Sequence, residues 1–274
     1  RTILKIIAGF AIGATIGLLL STLAILLFTD ITFDEFISKL GNLNVSKGII
    51  AASVGMASLL VSLFLLITIH EAGHLVCGLL TGYRFVSFRL FNFTLIRSKE
   101  RMRIKRFAVA GTGGQCLLSP PDLPLEKIPV AWYNMGGIVA NTLVLLAMLP
   151  LLWCHMHPFM HEFVVIFIII DLILILTNGI PMQMGGIGND AYNMLKLRKD
   201  MKSKRGLIVQ LRSNAMIQEG VRPKDMPREW FTSNGEINYS NPLEVSVPLM
   251  ESGILIDELK WEEAHMELKK LYSH

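Results

Sequence analysis

Long apolar runs divide this chain. They cover residues 3–28, 48–82, 130–154 and 163–181, with polar stretches between them. About 20 apolar residues in a helix, rising 1.5 Å each, cross the hydrocarbon of a bilayer. Four runs near or above that length predict four spans. The first is apolar from Ile6 to Phe28, and Leu27-Phe28-Thr29-Asp30 offers no small-x-small cleavage site, so it is expected to be a retained span and not a signal peptide. Residues 29–47 read as a short amphipathic connector. Gly82 is the expected stop of the second helix.

Between the second and third runs the period changes. Phe85 to Leu95 is rich in aromatic and β-branched residues, which predicts a strand, and Met102 to Val109 predicts another across a charged turn at 97–101. Gly111-Thr112-Gly113-Gly114 and Pro120-Pro121 punctuate the stretch up to the third run. An open sheet cannot show its edges to lipid, so this one is expected at the membrane interface or lining a cavity. Beyond residue 190 the pattern is polar. It predicts a basic helix over Lys196–Gln218, a proline-bearing loop over Val221–Pro248 and an amphipathic helix over Ile254–Tyr272. The predicted fold class is an all-α polytopic membrane protein of about four transmembrane helices. It carries a small membrane-associated β-sheet over 83–128 and a helical C-terminal cytoplasmic region. The membrane core is expected over 1–190 and the tail over 191–274.

Composition agrees with a helical membrane protein: 52% hydrophobic, 18% charged, mean hydropathy +0.49. Cys77, Cys116 and Cys154 form no C-x-x-C pair, which argues against a disulfide framework and a thiolate metal site. The net charge of +4 matters less than its distribution. Residues 83–129 carry nine Lys/Arg against three Asp/Glu, the tail from 182 carries thirteen Lys/Arg, and the 155–162 loop carries none. By the positive-inside rule the N-terminus, the 83–129 segment and the tail are expected in the cytoplasm, and the plasma membrane is the expected location. No nucleic-acid motif is present; the tail's charges read as solvated faces or headgroup contacts.

One stretch inside the second run carries chemistry. His70-Glu71-Ala72-Gly73-His74 is an H-E-x-x-H motif, and Glu71 is the only Asp, Glu, Lys or Arg between Gly48 and Tyr83. Two His four apart share one helix face and can grip one Zn²⁺, and the Glu between them can take a proton from the water that the metal activates. Two imidazoles and a carboxylate at membrane depth are costly without partners, which marks them as functional. A third ligand is needed, and Asp190 and Asp171 are the candidates. The competing use of Asn189-Asp190 is to cap the next helix. Asn141 after Gly136-Gly137 reads either as helix packing or as a binding group. His155, His157 and His161 crowd one short loop and form a weaker metal candidate.

An H-E-x-x-H in a hydrophobic helix, with an Asp-bearing motif after a later one, resembles the site-2 protease family of intramembrane zinc metalloproteases, here in a compact form without a PDZ domain. The resemblance implies Zn²⁺ as cofactor on His70, His74 and Asp190, with Glu71 as catalytic base. Asp190 comes after Asn178 and Pro181, where the family places its ligand after an N-x-x-P element. It stands nine residues past the Pro, further than in the simplest family pattern, and Ala191 replaces the usual Gly. The family's G-P-x-x-N pattern appears only loosely, as Gly136-Gly137 and Asn141. The resemblance further implies substrate contacts at Asn141, Gly137 and Asn178, a sheet that offers an edge to substrate, and a transmembrane protein or signal-peptide remnant as substrate in the lipid bilayer. The competing readings are a metal-binding membrane transporter, motivated by the His loop and Asp171, and an inactive scaffold of the same fold. Four unlike spans lack the internal repeat of transporters, and an intact Glu71 argues against the scaffold.

Overall fold

The computed structural model describes residues 45–98, 101–107, 113–184, 187–232 and 236–273, together with 32, 34, 35 and 38. The expected first span, 3–28, lies outside the described residues. The chain divides into two compact units, Arg1–Met56 and Ala57–His274. In the first, Thr32 and Glu35 bond reciprocally: the Thr32 N–H donates to Glu35 Oε2 at 3.1 Å and the Glu35 N–H to Thr32 Oγ1 at 3.3 Å. This is the pairing by which a Thr and a Glu three residues later close a helix start.

Among the described residues, three helices are long and apolar enough to cross a membrane: Gly48–Leu80, Leu125–Trp153, which includes 3-10 turns at both ends, and Pro158–Gly179. The first is the body of helix α1, Val45–Leu80, of 36 residues. It ends as the sequence predicts. The N–H groups of Gly82 and Tyr83 fold back onto the carbonyls of Leu79 and Gly78, and Gly82 takes φ +87°. That closure needs a left-handed residue, which glycine supplies without a Cβ penalty.

Helix α2, Val130–Met148, crosses α1 in backbone contact. A Cβ on Gly73 would lie 2.2 Å from the Gly136 carbonyl oxygen, and one on Gly136 would lie 2.4 Å from that of Gly73. Small residues at both positions let the two main chains touch. Helix α3, Pro158–Gly179, packs on α2. It starts five residues before the predicted boundary, because Pro158 suits a first helical position and His157 accepts a hydrogen bond from the Phe159 N–H.

The sheet has four antiparallel strands: β1 (Arg84–Leu90), β2 (Phe93–Ser98), β3 (Arg101–Arg106) and β4 (Gly114–Ser119), in spatial order β3-β2-β1-β4. The single strand expected over Phe85–Leu95 is instead two strands, β1 and β2. Phe91 adopts φ +51° and the chain reverses there, pairing Leu90 with Phe93. Arg89, 1% exposed, holds the turn by donating to the carbonyls of Phe91 (3.1 Å) and Gly114 (3.4 Å). That reach across strands is invisible in the alternation of Phe85–Leu95. Strand β4 is a further departure, since its Gly-rich approach reads as loop.

After α3 a two-stranded ribbon, β5 (Gln183–Met184) and β6 (Ile187–Gly188), leads into α4 (Asp190–Lys199) and α5 (Met201–Glu219). The one basic helix expected over 196–218 is thus broken at Asp200. The Asp200 carboxylate accepts from the N–H groups of Lys202 and Ser203, so it starts a new helix. The expected loop to Pro248 ends earlier, because Asn241 caps and Pro242 opens α6, Pro242–Asp257. The last predicted helix is divided in the same way. Ile254 belongs to α6, Leu259 turns the chain at φ +63°, and α7 runs Trp261–Tyr272. Leu197, Ile208 and Leu211 share one buried cluster with Tyr83, Cys116 and Leu118, so residues 191–274 belong to the second unit.

The crossing gives a stability contrast. Gly136→Ala forces a Cβ into main chain and should lower stability by about 1–3 kcal/mol. Gly253→Ala in α6 meets nothing within 4 Å and should be neutral, or stabilising by up to about 1 kcal/mol. Thermal unfolding of the purified variants measures both, and equal melting temperatures would contradict the backbone contact.

Candidate metal centre

Helix periodicity places His70 and His74 one turn apart on the same face of α1, where they meet α2. The ring of His70 lies over Gly137, where a Cβ would stand 2.5 Å from its Nε2. His74, 8% exposed, is fixed at its other nitrogen, Nδ1, 2.7 Å from the Tyr133 main-chain oxygen. A carbonyl only accepts, so Nδ1 carries the proton and Nε2 presents a lone pair. A backbone or carboxylate partner on the far nitrogen is how metal-binding His is commonly oriented.

Asp190 closes the group. Its Oδ2 lies 2.9 Å from His70 Nε2 and 3.3 Å from His74 Nε2, and the two Nε2 atoms are 3.2 Å apart. The helix-capping role falls to Asn189, whose Oδ1 accepts from the N–H groups of Tyr192 (3.0 Å) and Met182 (3.2 Å). Its Nδ2 donates to the carbonyls of Thr177 and Ile180, both at 2.6 Å. Asn189 therefore ties the start of α4 to the end of α3, and the Asp190 carboxylate is left to face the two His. Burial opposes ionisation of Asp190, yet the two imidazoles beside it outweigh burial and hold the carboxyl down at about 2. Asp190 is thus a carboxylate at any ordinary pH, and three lone-pair atoms converge on one point. Such a set calls for a cation.

Among the described residues, His70, His74 and Asp190 are the one group of His, Cys, Asp or Glu close enough to hold a metal ion. The rival, Asp171, is fully buried between α2 and α3 and accepts from Asn141 Nδ2 at 2.8 Å. His157 caps α3, and His161 Nε2 lies 3.4 Å from the Leu152 carbonyl.

Glu71, next to His70 on α1, lies against β4. A Cβ on Gly114 would lie 2.7 Å from Glu71 Oε1, and the Cys116 N–H faces its carboxylate. The ladder explains why β4 can do this. The Phe91 N–H donates to the Gly113 carbonyl, so with Leu90 opposite Gly114 and Phe88 opposite Cys116, the main-chain groups of Gly114, Cys116 and Leu118 face outward from the sheet.

The three residues expected to contact substrate occupy defined places. Gly137 seats His70. Asn141 is 0% exposed and leaves its Oδ1 without a partner. Asn178 donates its Nδ2 to the Leu174 carbonyl of its own helix at 2.9 Å. Sequence reasoning did not single out Tyr133, Gly114, or Asn189 as a residue that positions its neighbour. Only the cap-forming type of Asn189 left a signal.

Comparison with protein-family models, with curated proteins and with solved structures found no match to this chain.

The ligand assignment is open to a direct measurement. Asp190→Ala removes one of three donors and should strip most of the metal from the purified protein. Asp171→Ala should keep its metal and lose stability. Metal analysis that finds the reverse pattern would move the third ligand to Asp171.

Proposed function

We propose that this chain is an intramembrane zinc endopeptidase that cleaves a locally unwound transmembrane segment, from a single-span protein or a signal-peptide remnant. The observation that carries the reading is the meeting of His70, His74 and Asp190 beside Glu71, on a helix apolar enough to cross a bilayer. The donor set suits zinc. Tetrahedral bonds of about 2.0–2.1 Å put donor atoms about 3.3 Å apart, close to the separations of 2.9, 3.2 and 3.3 Å found here. Two neutral imidazoles and one carboxylate also leave a fourth position for water or substrate.

Bound zinc would polarise a peptide carbonyl and bring the pKa of water to about 7. The rest of the chemistry belongs to the chain. Glu71, lying against Gly114, offers a carboxylate oxygen as proton acceptor. Asp190 and the His74–Tyr133 link keep the donor atoms in place. An unwound substrate segment needs partners for its freed N–H and C=O groups, which cost several kcal/mol each in hydrocarbon. Strand β3 is the exposed outer edge of the sheet, and its main chain could pair with such a segment. Asn141 Oδ1 is a further acceptor, reached by parting α2 from α3. Gly137 lies at the α1–α2 contact under the His70 ring, and Asn178 lies in the last turn of α3.

A bilayer fits the exposed side chains. Trp132 and Trp153 are 62% and 79% exposed, and they stand roughly 32 Å apart at about 1.5 Å per residue. That matches a hydrocarbon thickness of about 30 Å with Trp at both interfaces. The Gly73–Gly136 crossing then lies about one turn inside the Trp132 level. The charge asymmetry supports a cytoplasmic side for residues 83–129 and the tail, and substrate would then be cut near the cytoplasmic leaflet. The transporter reading loses support, because the three loop His do not gather.

Glu71→Gln should reduce cleavage of a co-reconstituted single-span substrate by about 10²–10⁴-fold while leaving metal content unchanged. Normal turnover in a metal-loaded Glu71→Gln protein would remove Glu71 from the mechanism. Orientation has its own test. In intact cells, an impermeant maleimide should label single cysteines placed at 155–162 and spare those at 97–101. The opposite pattern would invert the orientation.

A further inference from the structure

We propose that Tyr133 is a positioning residue that ties the metal-ligand half of the site to the proton-accepting half. For the role of Glu71 this rests on the proteolytic reading. Tyr133 touches both halves with different parts of itself. Its main-chain oxygen receives the His74 Nδ1 proton at 2.7 Å. Its phenol donates to the Cys116 carbonyl at 2.8 Å. Cys116 turns both of its main-chain groups to the outer edge of β4: the carbonyl meets Tyr133, and the N–H meets the Glu71 carboxylate. One residue of β4 is therefore held by α2 through Tyr133 and holds Glu71 of α1 in turn.

The phenol has little freedom to leave. Its ring stacks on Tyr83 at 5.1 Å with an interplanar angle of 14°. Strand β4 is gripped a second time where Leu118 packs into the space over Gly78; a Cβ there would lie 2.1 Å from Leu118 Cδ1. With the strand anchored at Leu118 and at the Cys116 carbonyl, the N–H of Cys116 and the open face of Gly114 present a fixed seat to Glu71. Without the phenol, the Cys116 carbonyl would lose its partner and β4 would be free to shift against α1. The metal ligands would not move with it, because the His74 contact uses main chain that a side-chain change at 133 leaves in place.

The link predicts a separation of effects in Tyr133→Phe, made in the full chain and loaded with zinc. Metal content should equal that of the unaltered protein. Hydrogen exchange at the 114–119 amides should rise while the rest of α1 and α2 keeps its protection. The kcat for a single-span substrate should fall by about tenfold to a hundredfold, the scale of a small misplacement of a reacting group, with KM unchanged. Placed in the Glu71→Gln protein, Tyr133→Phe should cause no further loss, because both changes act through one carboxylate. Tyr133→p-aminophenylalanine, which returns an N–H donor, should restore both exchange and kcat.

Unaltered exchange over 114–119 would overturn the proposal. So would loss of metal or of protection throughout the protein, a change in KM alone, or a full additional loss in the Glu71→Gln background. An unaltered protein that loads zinc and cleaves no single-span substrate would instead sink the proteolytic reading. The exchange and metal measurements would then still decide whether Tyr133 holds β4.

Discussion

Helices α1 and α2 meet main chain to main chain at Gly73 and Gly136, and the geometry of the site depends on that contact. Because the axes come so close, the Tyr133 carbonyl reaches His74 Nδ1 and the His70 ring fits over Gly137. A side chain at any of the three glycines would push the helices apart by more than a hydrogen bond tolerates. Packing thus sets the tautomer of His74, through the Tyr133 carbonyl, and the place of the His70 ring, over Gly137. A site preorganised in this way keeps its donors directed by the scaffold.

The third donor comes from a different device. Asp190 lies beyond a helix end and a short ribbon, where backbone is expected to be adaptable. Asn189 removes that freedom by bonding both to the start of α4 and to the carbonyls at the end of α3. Each of these groups would otherwise be an unsatisfied donor or acceptor at a helix terminus. Satisfying them fixes the neighbouring Asp190, which is free to meet the His because the cap is made by Asn189. The packing of α4 and α5 on the sheet and on α2 extends the constraint into the polar C-terminal region.

The sheet contributes a strand edge more than a surface. Thr94 and Ile96 of β2 are covered, while Phe93 and Leu95 are open, as are Met102 and Ile104 of β3. An antiparallel sheet with one covered face usually shows polar groups on the other. Here four apolar side chains are open on one face, with Arg97 and Arg106 at its two ends. Glu71 meets the sheet at its opposite edge, where β4 turns its main chain outward.

The sequence by itself determined the three long apolar helices, the stop at Gly82 and the pairing of His70 with His74. Each comes from local periodicity: apolar length, a left-handed glycine, and two residues four apart on one helix. Asp190 came forward through the family resemblance, by its place after Asn178 and Pro181. Tertiary structure decided what depends on approach between distant elements. It set Asp190, and not Asp171, beside His70 and His74, because Asn141 engages the latter and Asn189 fixes the former. It split Phe85–Leu95 into two strands, because Arg89 bridges to Phe91 and Gly114. It also brought Glu71 to β4 and Tyr133 to both halves of the site. Hydrogen bonds between residues tens of positions apart leave no period in the sequence, so only the folded chain reveals them.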